Sequence, residues 1–81
     1  MDKIELGAHA KLIIENKAFD IIFDKVKEGY MEGWGKTTPN QNELRESIYY
    51  TTIALEDVKQ TIESLVMAAE NEIFKKETEE K

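Results

Sequence analysis

The residues with the strongest claim to chemistry lie near the middle of the chain, in Gly29–Thr38, "GYMEGWGKTT". Three glycines followed by Lys-Thr resemble a phosphate-binding loop, in which successive backbone N–H groups cradle a nucleotide. That loop needs a glycine five positions before the Gly that precedes Lys-Thr. Tyr30 stands there, and Gly29 is one residue too early. A phosphate loop also follows a buried strand and opens a helix, whereas helical sequence precedes Gly29 and Pro39 follows the threonines. Nucleotide binding is rejected on both counts.

Other chemistry fares no better. His9 is the single histidine, four residues after Glu5, but metal sites in helical bundles use Glu-x-x-His from two helices and the chain contains no such pattern. Asp20 and Asp24 form a carboxylate pair, yet they sit in the opening turns of a helix and off its apolar face, where acidic residues favour the helix dipole. Ser47, Ser64 and the threonines have no base within reach except His9, and no third group to orient it. The expectation is a chain with no catalytic residue, no metal and no cofactor.

The elements that carry these residues are all helical. Ile4, Ala8 and Leu12 recur every fourth residue in a first short segment. The pattern breaks at Glu15–Phe19, where Asn16 can cap a new helix. Phe19, Ile22, Phe23, Val26 and Tyr30 then share one face of a second helix, predicted to end near Gly33. Gly33 and Gly35 are read as closing it in a left-handed conformation, and Gly29 as marking a close approach by a neighbouring group. Thr38-Pro39-Asn40-Gln41 has the form of a capping box opening a third helix, with Asn40 or Gln41 equally able to be the boundary residue.

In that helix Leu44, Ile48, Thr51, Leu55, Val58, Ile62, Leu65 and Ala69 are spaced alternately by four and three, a coiled-coil type seam. Its flanks, Ser47, Ala54, Thr61 and Ala68 on one side and Thr52, Lys59 and Val66 on the other, are nearly all small or uncharged, which suits close packing against more than one neighbour. Ile53, Met67 and Phe74 fall opposite the seam, with Tyr49 and Tyr50 near its start. These five form the predicted partner-binding face. Tyr30 and Trp34 are expected to plug the end of the core, while the adjacent Tyr49 and Tyr50 cannot both face it.

The predicted fold is therefore all-α: an antiparallel helical hairpin with a kinked first arm, helices at about 4–15, 17–33 and 41–76, packed into an oligomeric bundle. Residues 1–76 form one domain and 77–81 a charged flexible tail. The predicted core sets Phe19, Ile22, Phe23, Val26, Tyr30 and Trp34 against Leu44, Ile48, Leu55, Val58, Ile62 and Leu65.

Composition bounds the function. A domain of 81 residues buries only about 60% of its unfolded surface, so self-association is an expected source of stability. The chain has no cysteine, and neither a leader nor a bilayer-spanning segment is expected, since no basic-then-apolar stretch opens it and no uncharged apolar run is long enough. Its net charge is −6 with the basic residues scattered, so the counterion release that drives nucleic-acid binding is missing and no direct contact with DNA or RNA is expected.

Two stretches, "LIIENKAFDIIFDKVKEGYMEGW" and, after a short linker, "PNQNELRESIYYTTIALEDVKQTIESLV", resemble a group of short, wholly helical proteins encoded by tailed bacteriophages. That group shows Leu-Leu-Glu-Asn-Pro-x-Phe near the start, a Tyr-x-x-x-Trp helix end and an Ala-Arg-Glu-x-Leu/Ile-Tyr/Trp opening to a long last helix. The similarity spans about Lys11 to Ala69. Lys17 departs from the group's proline, and Gly33 and Gly35 replace helix-favouring residues. The resemblance implies phage origin and a compact helical role in the host cytoplasm or on the virion, and carries no catalytic residue. The expected function is a non-enzymatic interaction or assembly protein that binds itself and another protein. The alternative is a small acidic inhibitor of a host defence or nucleic-acid enzyme.

Overall fold

The computed structural model describes residues 1–79 and is all-helical, with no strand among them. Three helices follow one another: α1 (Lys3–Ile14), α2 (Lys17–Gly35) and α3 (Asn42–Glu79). Local chemistry accounts for each start. The Asp2 carboxylate accepts the Glu5 N–H at 2.8 Å, and the Asn16 side chain accepts the Ala18 N–H at 2.8 Å while its own backbone is extended. The expected cap at Asn16 is thus present, and it separates α1 from α2.

The turn into α3 differs from expectation. Helix α2 continues through Gly35, and no described residue has a positive φ, so the glycines close nothing by a left-handed conformation. Lys36 ends the helix with ordinary right-handed geometry, its N–H donating to the Glu32 and Gly33 carbonyls. Of the expected boundary residues it is Gln41, not Thr38, that stands at the start of α3. The Gln41 side-chain oxygen accepts the Thr38 N–H at 2.8 Å, half of a capping box, but Gln41 itself precedes the helix and its carbonyl receives the Arg45 N–H at 3.0 Å. At the other end α3 takes in residues 77–79 of the expected tail; residues 80 and 81 lie outside those described.

Early residues meet late ones throughout. Gly7 of α1 lies against Ala69 of α3, Asp20 and Lys27 of α2 pair with Lys59 and Glu56, and Arg45 stacks on Trp34. The molecule measures 63 × 23 × 18 Å, its long axis close to the ~57 Å expected of a straight helix the length of α3.

Small residues make the tightest contact. A Cβ on Gly7 would overlap the Ala69 methyl and lie 2.9 Å from the Leu65 carbonyl oxygen. Ala10 and Ala69 are buried beside it. Here, not at Gly29, a glycine answers a close approach; a Cβ at Gly29 would meet nothing within 4 Å.

The core is thinner than predicted and turned. Phe23 is buried, at 6% exposure, and Phe19 is half-buried, but Ile22 is 61% exposed. On α3, Leu44 and Val58 are about half exposed, whereas Ile48, Thr52, Leu55, Lys59, Ile62, Val66 and Ala69 are half-buried or buried. The inward stripe is therefore Ile48/Leu55/Ile62/Ala69, flanked by the half-buried Thr52, Lys59 and Val66 on one side and by the half-buried Thr51 and Leu65 on the other, with Leu44 and Val58 turned outward. The physical reason is the Gly7–Ala69 crossing. It fixes the rotation of α3 about its axis and carries the Leu44/Val58 row to one side.

Candidate functional site

The turn end carries the densest arrangement of side chains. Thr37, buried, donates its hydroxyl to the Trp34 carbonyl at 2.6 Å and accepts the Arg45 Nε–H at 2.6 Å. The Arg45 guanidinium lies 4.3 Å from the Trp34 ring centroid, a cation–π contact. One hydroxyl thus ties the end of α2, the connection and the first turn of α3 together. Beside this clasp an apolar groove of about 250 Å³ is lined by Tyr30, Met31, Trp34, Ile48, Tyr49 and Thr52. Trp34 and Tyr30 are partly exposed in its walls, so the expected plug is an open groove.

Tyr49 and Tyr50 diverge. Their ring centroids are 5.8 Å apart at a 60° tilt; Tyr49 turns to the groove, and Tyr50 does not line it. Tyr49, Tyr50, Ile53, Met67 and Phe74 are all exposed, Phe74 the most at 70%.

A third side of α3 is acidic. Glu56, Glu63, Glu70 and Glu77 recur every seventh residue, and Glu56 is held by Lys27 of α2. Hydrogen bonding to Glu56 raises the Lys27 ammonium above its ordinary pKa, partial desolvation opposes this, and the charges of Glu56 and Asp24 add to the rise. Lys59, on the inward stripe, keeps its ammonium 5.3 Å from the Phe23 ring centroid and 3.9 Å from Asp20. Its side chain is half-buried, with the charged end held between the Phe23 ring and Asp20.

The residues weighed for chemistry do not converge. His9 and Glu5 are exposed on α1, Asp20 faces Lys59, and Asp24 and Ser64 are exposed on separate helices. Among the described residues no three His, Asp or Glu side chains gather closely enough to hold a metal ion, and no helix is long and apolar enough to cross a membrane. Several threonine hydroxyls are satisfied by their own helix: Thr51 donates to Ser47, Thr52 to Ile48 and Thr61 to Asp57, at 2.7–2.9 Å to the carbonyls. Satisfied in this way, they present methyl groups to their surroundings.

Sequence reasoning passed over Gly7, Thr37 and Arg45. Gly7 had a usable signal, since it lies between Ile4, Ala8 and Ala10 on a small-residue face. The Thr37–Arg45 bond spans a turn and has no periodic signature. Comparison with known protein families, with curated proteins and with solved structures returned no match.

Proposed function

We propose that the chain is a non-enzymatic interaction protein, a kinked helical hairpin that self-associates into a bundle and presents an apolar helical surface to another protein. One observation carries this reading. The single chain exposes 6508 Å², whereas a folded monomer of its mass exposes about 5,000 Å². Its radius of gyration is 17.9 Å, against about 12 Å for a compact chain of this length. No large side chain is fully buried, and large apolar side chains stand exposed on every helix. Apolar surface on that scale marks an interaction site.

The similarity of Lys11–Ala69 to helical phage proteins supports an assembly or accessory role, in the bacterial host's cytoplasm or attached to the virion. The exposed Tyr50, Ile53, Met67 and Phe74, with Tyr49 beside the groove, suit the partner-binding face. Ile53→Asp is expected to abolish partner binding with helicity retained, since exposed positions tolerate substitution within about ±0.5 kcal/mol. Loss of helix in circular dichroism would instead place Ile53 in the core.

A second reading rests on the acidic line Glu56, Glu63, Glu70 and Glu77. Such a line suits the basic groove of a host defence or nucleic-acid enzyme and would make the chain its inhibitor. Salt separates the two: occupation of a basic groove weakens steeply with ionic strength, and apolar helix packing does not.

A further inference from the structure

The α2·α3 pair has two unlike edges. One holds the Lys27–Glu56 ion pair, with Asp20, Asp24 and Glu63 beside it. In two helices that run antiparallel, residues on the other side of the contact line share the opposite edge. On α2 these are Ile22 and Val26; on α3 they are Leu44, Thr51, Val58 and Leu65. Ile22, Val26, Leu44 and Val58 are exposed, Thr51 and Leu65 half-buried, and none of the six is charged.

We propose that this edge is where a second copy of the same chain docks, through a two-fold contact centred near Ala54. The inference rests on the reading of the chain as self-associating and names the surface. The whole chain's surplus of about 1,500 Å² leaves room for the 1,000–2,500 Å² that each partner gives up in an obligate dimer, which removes roughly 2,000–5,000 Å² in total, and two observations then select this edge. Two chains of charge −6 repel, and this edge lets them meet without opposing carboxylates. The Tyr50/Ile53/Met67/Phe74 stripe, in contrast, is interleaved with Asp57, Gln60 and Asn71 and bordered by Glu63 and Glu70. Finally, the row just outside the edge is Ser47, Ala54, Thr61 and Ala68, small enough to let a second α3 approach closely, with the Thr61 hydroxyl already bonded to Asp57.

The chain lacks cysteine, so single cysteines report the contact directly. Sedimentation of the full chain at micromolar concentration is expected to show a dimer. Ala54→Cys should cross-link nearly completely on mild oxidation, Gln60→Cys on the outer stripe should remain mostly uncross-linked, and Val58→Asp should sediment as a helical monomer. If Val58→Asp loses its helicity, the two cysteine variants decide alone. A wild-type dimer that persists in Val58→Asp, cross-links at Gln60→Cys and dissociates in Ile53→Asp would overturn this surface while leaving self-association standing. A wild-type monomer would overturn both.

Discussion

The two ends of the rod are held by opposite means. At the α1·α3 crossing small residues bring backbones together, and Gly7, Ala10 and Ala69 are all buried. Along α2·α3 the residues are large, yet only Phe23 is buried, and the helices are tied instead by ion pairs at Lys27–Glu56 and Lys59–Asp20 and by the Thr37 clasp. Large side chains hold helices apart and close the gap only when packed from both sides. The tight end is closed by backbone approach within one chain, whereas the wide end stays open, and under the proposed self-association it is there that a second copy packs.

Substitutions can break this contrast, and the largest effect is expected at the wide end's single buried ring. Phe23→Ala should cost about 3 kcal/mol, the lower end for a buried phenylalanine because the site is thinly covered, and most of the stability of so small a domain. Urea titration followed by circular dichroism measures it. At the tight end Gly7→Ala should cost about 1–3 kcal/mol through overpacking against Ala69, although alanine is the better helix former. The double variant Gly7→Ala/Ala69→Gly should recover the part of the cost due to the Ala69 methyl, the Leu65 carbonyl contact remaining, and so show a coupling in a double-mutant cycle.

Smaller effects sharpen the comparison. Thr37→Val removes the hydroxyl that joins Trp34 to Arg45 and should lower stability by about 1–2 kcal/mol. Gly29→Ala should act in the opposite sense to Gly7→Ala, stabilising by about 0.5–1 kcal/mol, because its surroundings are empty and its backbone is ordinary helix. The smallest effect is set by pH. Lys27 has a folded-state pKa above its ordinary 10.5, so its contribution is fully present below that value and is lost as pH rises through the folded-state pKa. The difference in melting temperature between wild type and Lys27→Met should hold up to about pH 10.5 and close only above it.

What was legible in the sequence was local. Asn16 caps α2 because an amide side chain reaches a backbone two residues on whatever else is present, and Phe23 is central to an apolar face with no rival. The rotation of α3 was not legible. Leu44, Thr51, Val58 and Leu65 and their counterparts Thr52, Lys59 and Val66 flank the same four inward residues, and heptad spacing fits either row. Apolar content favours the first row; the structure half-buries all of the second and only Thr51 and Leu65 of the first, leaving Leu44 and Val58 turned outward. Lys59 disguised the inward row, since a charged end hides a stem that packs. The turn misled for a related reason: glycines permit a left-handed turn without requiring one, and here they continue a helix.

Trp34 is the single tryptophan of the chain, and the stacked Arg45 guanidinium makes its indole emission sensitive to the geometry of the turn. The protein thus carries an optical probe at one end only. Far-UV dichroism, by contrast, is dominated by the 38 residues of α3, which run the whole length. Recorded together on one thermal scan, the two signals would coincide if the rod melts as a unit and separate if the wide end opens first.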